Sequence, residues 1–238
     1  MTNPPSSAGS NSAAYSMCKL TFPGSQRGRA AIFSVCAIVV LGLPMSTVSK
    51  PFLSPEEYLA IERKAEYKSE YYRGEMFAMS GVSRKHDRIA TQLAFLIAQH
   101  LRGKRCEDFS AHMRVLATPG GLYTYPDLSV ACEEPQFADA QVDTLTNPAL
   151  LVEILSPSTE DYDRGKKAKL YRAIPSLQEL LIIAQDSYEV ELYRRQADGS
   201  WSLMEAKGLE SAIALTSIGY TLSLRELYEK VAEDSENG

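Results

Sequence analysis

Two acidic residues stand inside apolar runs: Asp127 in Tyr125-Pro126-Asp127-Leu128-Ser129-Val130, and Glu153 in Leu150-Leu151-Val152-Glu153-Ile154-Leu155. An ionised carboxylate among Val, Leu and Ile is costly unless a cation or hydrogen bonds compensate it. Lys166, Lys167 and Lys169 follow shortly downstream. Two such acids with a lysine beside them suggest a divalent-metal site, and the combination points to phosphodiester hydrolysis.

On an extended strand alternate side chains share a face, which groups Tyr125 with Asp127 and Ser129, and Leu151 with Glu153 and Leu155. If the two strands are neighbours, Asp127 and Glu153 can share a Mg²⁺, with Mn²⁺ able to substitute. Mg²⁺ commonly takes one or two carboxylates and completes its shell with water and phosphate. The Ile154 carbonyl is a further candidate ligand. Ser156-Pro157-Ser158-Thr159 breaks the strand, and a helix is expected over about 161–173. There Asp163, Lys167 and Tyr171 recur at i, i+4, i+8 and share one face. Lys167 is thus the amine best placed to reach the carboxylates, where it can orient water and offset charge on phosphate. Lys167→Ala should abolish cleavage and leave the fold nearly intact. Simpler roles compete: Asp127 as a strand-end aspartate capping backbone, and Glu153 in a partly buried ion pair with a helix lysine.

Four further residues are candidates. Glu75 could be a third acid or fix a water beside the metal. His86, at the first turn of a helix with a buried stripe, could touch phosphate or a site acid. Arg84 makes the same helix opening basic, and Arg114 could contact a carboxylate from a strand. An ordinary turn carboxylate, a satisfied structural histidine and solvated charges are the bland readings of this group.

The elements that must position these residues are legible. Ser54-Pro55-Glu56-Glu57 is a helix start, with serine cap, proline at the first position and a carboxylate three residues after the cap; the helix should run to about Glu66. A hairpin turns near Gly74, and Ser83 can cap a helix whose Ile89, Leu93, Ile97 and Leu101 form one stripe ending near Gly103. Strands are expected at roughly 105–117 and 122–131, joined at Pro119-Gly120-Gly121, and at 149–155. Leu180-Leu181-Ile182-Ile183 reads as buried on both faces, Glu189–Arg194 as an outer strand, Asp198-Gly199 as a turn, and 223–231 as a closing helix. The class is α/β.

The bulk composition fits one principal domain. The chain has 238 residues, is 45% hydrophobic and 23% charged, and carries a formal net charge of −5. That charge argues against a generally basic nucleic-acid coat but leaves room for a local one. Cys18, Cys36, Cys106 and Cys132 show no paired spacing and read as free thiols in a reducing compartment. Residues 1–49 form an N-terminal extension, 50–232 the domain, and 233–238 a tail. Within the extension, the apolar run 30–43 after Arg27 and Arg29 admits three readings: an export signal, a buried segment, or part of an extension upstream of a functional start at Met45. The last is preferred, because organised sequence begins just after Met45. A cytoplasmic protein with no membrane partner is expected.

An ordered set of motifs resembles a known family. It comprises Ser54-Pro55-Glu56-Glu57-Tyr58, Arg73-Gly74-Glu75, Ser83-Arg84-Lys85-His86, Tyr125-Pro126-Asp127, Val152-Glu153-Ile154-Leu155-Ser156-Pro157-Ser158-Thr159 and Asp163-Arg164-Gly165-Lys166-Lys167. Over about residues 50–230 the chain resembles the Uma2 group, common in cyanobacteria, within the PD-(D/E)XK nuclease superfamily. The resemblance implies a restriction-endonuclease-like core, with a mixed central β-sheet flanked by helices and additional antiparallel strands. Pro126-Asp127 and Glu153 match the superfamily acids. The usual lysine, two residues after the second acid, is replaced by Leu155, and Lys167 on the following helix matches its migrated form. DNA as substrate and a homodimer are likewise implied. The competing reading is a nucleic-acid-binding or interaction protein of nuclease fold without efficient catalysis.

Overall fold

Ser54 opens the first helix as its sequence predicts. Its hydroxyl accepts from the Glu57 N–H at 3.2 Å and the Glu57 carboxylate accepts from the Ser54 N–H at 2.7 Å, capping α1 (Pro55–Glu62). The helix stops four residues short of Glu66, because Lys64 and Ala65 donate to the carbonyls three residues back and tighten the chain into a turn. Strands β1 (Ser69–Tyr72) and β2 (Glu75–Ala78) form a hairpin. Its two turn residues, Arg73 and Gly74, both have positive φ, the signature of a twist-matched two-residue turn. A side chain at Gly74 would collide with the Phe52 ring. The Ser83 hydroxyl accepts from the His86 N–H at 3.1 Å and caps α2 (Arg84–Leu101), whose Ile89, Leu93, Ile97 and Leu101 are all buried.

The computed structural model describes residues 52–117 and 121–231, all within one unit, Ser49–Gly238. The expectations for the 1–49 extension with its apolar run, for the turn at 119–120, and for the 233–238 tail fall outside those residues. Among the described residues no helix is long and apolar enough to cross a membrane.

The two long strands expected next are each broken, and their halves enter different sheets. The first gives β3 (Glu107–Ser110) and β4 (Arg114–Leu116), split by a turn in which the Met113 N–H donates to the Ser110 carbonyl. The second gives β5 (Leu122–Thr124) and β6 (Leu128–Ala131), split at Pro126, which has no N–H to offer a ladder. There follow β7 (Thr144–Leu145), β8 (Leu150–Ile154), α3 (Glu160–Tyr162), a π turn (Asp163–Lys167) and α4 (Ala168–Tyr171). The chain closes with β9 (Glu179–Ile183), β10 (Glu189–Arg195), β11 (Trp201–Lys207), β12 (Ala212–Leu215), β13 (Tyr220–Ser223) and α5 (Leu224–Leu227).

One sheet runs β11-β10-β9-β8-β6-β3 and another β2-β1-β5-β4-β7, with β12–β13 a separate pair. The first is mixed: β8 and β9 are parallel, joined through the 160–171 helical segment, and its other pairings are antiparallel. Strand β8 is buried on both sides. Leu150, Val152 and Ile154 join the cluster around α2, whereas Leu151 and Leu155 join the one containing Ala168, Tyr171 and Ile182. Glu153 shares the second face, under the helical segment. Leu155, where a lysine would be usual, is core.

One expectation is corrected here. Cys106 and Cys132 are not free thiols but a disulfide, with Cα atoms 3.9 Å apart. The register Glu107↔Ala131 between β3 and β6 puts them opposite each other just beyond the paired residues. Antiparallel pairing supplies the proximity that a separation of 26 residues conceals.

Candidate active site

The register Leu128↔Val152 between β6 and β8 carries Asp127 to the position opposite Glu153. Asp127 does not lie within a strand, as alternation suggested; it occupies the break before β6. Its Oδ2 accepts from the Ile154 N–H at 2.7 Å, so the side chain fixes the break against the end of β8. Oδ1 lies 3.4 Å from His86 Nε2. Burial alone would lower the His86 pKa, but hydrogen bonding and charge from Asp127, aided by the Ile154 backbone and Asp87, raise it above the usual imidazole value.

Glu153 meets the helical segment. Tyr171 OH donates to its Oε1 at 2.5 Å, and Lys167 Nζ lies 3.0 Å from the same oxygen. Lys167 also stands 3.0 Å from Glu70 Oε1 and 3.5 Å from Asp163 Oδ1. Thr124 donates its hydroxyl to Glu70. One ammonium is thus shared by three carboxylates, all buried. The π turn helps set this: the Ala168 N–H reaches back five residues to the Asp163 carbonyl, and Asp163 and Lys167 are its two buried members.

Electrostatics reflect that burial. Desolvation disfavours the Lys167 charge, but Glu153, Tyr171, Glu70 and Asp163 outweigh it and hold the amine well above its ordinary pKa. Burial pushes the Glu153 carboxyl up to about 8, with Lys167 pulling it down and Asp163 and Asp127 pushing it further up. Asp163 is raised by burial for the same reason, against Lys167.

The effect on stability has a definite sign. Folded Glu153 holds its proton more tightly than the unfolded chain, whose glutamates titrate near ~4.3. Its contribution to stability is therefore present below that value and lost as pH rises through about 8. In metal-free buffer the thermal midpoint of wild type should fall, relative to Glu153→Gln, as pH rises across this window. Parallel midpoints for the two proteins would refute the assignment.

The other expected residues are distributed unevenly. Ile154 lines the same cavity as Asp127, Glu153, Lys167 and His86. Tyr171, fully buried, reaches the site through its hydroxyl. Glu75 is exposed at the start of β2, outside the cavity lining. On that hairpin face it pairs with Tyr72, displaced toward the turn from the Glu70↔Phe77 pair. Glu70 is the carboxylate that reaches Lys167. The missed signal is an acid inside Ser69-Glu70-Tyr71-Tyr72, the same anomaly that marks Glu153. Arg84 is exposed at the start of α2 and outside the lining. Arg114 is buried elsewhere, donating to Tyr125 OH at 3.0 Å and Thr144 Oγ1 at 3.1 Å beside Asp143. It braces the five-stranded sheet.

Above these groups opens a cavity of about 680 Å³. Residues 77–83, Ser156–Thr159 and Tyr162 line it, and Lys166 lies 3.9 Å over the Tyr72 ring. Among the described residues, no three His, Cys, Asp or Glu side chains are grouped to hold a metal ion.

Comparison with known proteins gives consistent matches. The family model "Uma2: Putative restriction endonuclease" matches residues 55–225. Uncharacterized protein slr1290 of Synechocystis sp. is 38% identical over 182 residues, covering 76% of this chain and 94% of that protein. Uncharacterized protein sll1609 of the same organism is 37% identical over 169 residues, covering 71% and 96%. A crystal structure from Anabaena variabilis, described as "a putative nuclease belonging to DUF820", aligns with a TM-score of 0.62 at 21% identity, over 74% of this chain and 98% of that one. At that identity the likeness carries the fold: mixed β-sheets flanked by helices, in a nuclease-like α/β core.

Proposed function

This chain belongs to the Uma2 family, and from that premise we propose that it is a Mg²⁺-dependent endonuclease hydrolysing DNA phosphodiester bonds. The observation that carries the reading is the gathering of four carboxyl groups, Glu70, Asp127, Glu153 and Asp163, at one cavity. Glu70, Glu153 and Asp163 share one ammonium, while Asp127 stands opposite Glu153 in the strand register. Such a cluster favours an added cation.

Mg²⁺ fits the donor chemistry. Asp127 and Glu153 offer oxygen ligands alone, and Mg²⁺ commonly needs only one or two carboxylates from the protein. Asp127, Glu153 and the Ile154 carbonyl are the groups assigned to hold it. When bound, the ion supplies an activated water and a counter-charge for the phosphate.

The remaining roles belong to the chain. Lys167 is held as an ammonium, so its part is to orient the attacking water and stabilise charge developing on phosphate; a raised pKa removes it as a general base. Tyr171 and Thr124 fix the carboxylates that hold Lys167, and His86 steadies Asp127. The chain is assigned to a homodimer with one such site in each subunit. The second reading, nucleic-acid binding without efficient hydrolysis, is favoured by the engagement of Glu153 with both Lys167 and Tyr171.

Incubation of supercoiled, linear and single-stranded DNA with Mg²⁺ or Mn²⁺ tests this. Cleavage should disappear with a chelator and fall by roughly a hundredfold or more in Asp127→Ala. DNA binding with no cleavage in any form would favour the second reading. Cleavage indifferent to Asp127 would remove the site from the mechanism.

A further inference from the structure

The hairpin register sets Phe77 directly opposite Glu70, so an aromatic ring lies beside a carboxylate that contacts Lys167. Phe77 is 47% exposed and lines the cavity. Met79 and Val82 continue the same wall and are 38% and 60% exposed. Nothing in the core requires these apolar side chains to face solvent, and an exposed apolar wall inside a cleft is characteristic of a binding surface. The lining also carries a hydroxylic stretch: Ser156 Oγ lies 3.1 Å from Ser158 Oγ and 2.9 Å from Thr159 Oγ1. Exposed Lys166 belongs to the same lining.

The reacting groups are sunk at the bottom. Glu153, Asp163 and Lys167 are each 5% exposed, so a phosphate must enter the cavity to reach them. A cavity of about 680 Å³ has the size of a small-ligand site. In an intact duplex the base faces are stacked inside the helix, leaving an apolar wall beside the phosphate nothing flat to contact. Base faces become available when a nucleotide is unpaired or extruded.

Resting on the reading of this site as a phosphodiester-hydrolysing centre, we propose that its substrate is a DNA strand with unpaired nucleotides, one base lying on the Phe77–Met79–Val82 wall. Lys166 and the hydroxylic stretch receive the flanking phosphates. Fully paired duplex meets only the rim.

The test uses the full chain with Ca²⁺ in place of Mg²⁺, to hold cleavage back during binding. Probes are a fluorescent single-stranded 20-mer, the matching duplex, and that duplex with an unpaired three-nucleotide bulge. The single strand and the bulge should bind roughly tenfold or more tighter than the duplex, and Phe77→Ala should remove most of that advantage, the scale of one lost stacking contact. Duplex affinity should stay within about twofold in the variant. Equal affinity of wild type for all three probes would overturn the proposal, as would a Phe77→Ala loss shared equally by all three. Repeating the series with Mg²⁺ separates the two readings. Equal cutting of paired and unpaired DNA overturns this inference and leaves the nuclease; a strand preference without cutting overturns the nuclease and leaves the preference.

Discussion

Lys167→Met should reduce single-turnover cleavage by about 10²–10³-fold or more, the scale of losing one preorganised charge contact to a transition state. The same substitution should destabilise the protein by about 3–5 kcal/mol, because it strands Glu70, Glu153 and Asp163 together without their shared ammonium. Here the structure changes an expectation. A lysine on a helix face suggested a variant dead in catalysis but intact in fold. A lysine that is 5% exposed and bonded to three buried acids cannot be removed so quietly. Lys166→Ala and Lys169→Ala are the comparison: both side chains are exposed, and both variants should retain the wild-type thermal midpoint. Single-turnover rates and thermal unfolding of the three proteins decide it. Wild-type stability in Lys167→Met would mean that the buried network is not as described, and wild-type cleavage would remove the lysine from the chemistry.

Glu179→Ala should be the most damaging change away from the cavity. The Glu179 carboxylate is fully buried at the start of β9. It accepts from Arg194 Nε at 2.7 Å, and from the backbone N–H and hydroxyl of both Thr216 and Ser217. These bonds, against the cost of burial, keep its pKa below the usual value. One side chain thus ties together β9, β10 and the turn after β12. Removing it leaves Arg194 and two backbone donors without that partner, at about 3–5 kcal/mol. For a unit of this size that is a fall of roughly 10 °C in Tm. Differential scanning calorimetry would show it, and a change under about 2 °C would refute it.

Local signals in the sequence carried far. The Ser54 and Ser83 caps, the Gly74 turn and the Ile89–Leu101 stripe each rest on interactions within a few residues, and all appear where their spacing puts them. The meeting of Lys167 with Glu153 was legible because helix periodicity and the cost of a buried acid pointed the same way. Both bland roles considered for the acids also occur: Asp127 caps the Ile154 N–H, and Glu153 is paired with a helix lysine. Those bonds are how the residues are held in place. What was not legible depends on long-range pairing. The Cys106–Cys132 bridge exists only through the β3–β6 register, and Glu70 rather than Glu75 reaches the lysine because the hairpin face is met at one level. The breaks at 111–113 and at Pro126 were hidden, since a sheet change leaves little trace in hydrophobic alternation.

The π turn at Asp163–Lys167 has a bearing on how this protein could be altered. Gly165 sits in its middle, and an added Cβ there would touch nothing. Alanine is favoured over glycine in a regular helix by about 1 kcal/mol. Any change that drew the segment into regular α-helix by one residue would rotate the rest of the helix by about 100°. Thermostabilisation and activity would then pull in opposite directions at a site with no steric objection to the mutation. By the same geometry, chain length between Glu153 and Lys167 is itself a constraint on descent: a one-residue insertion or deletion would keep both side chains and lose their meeting.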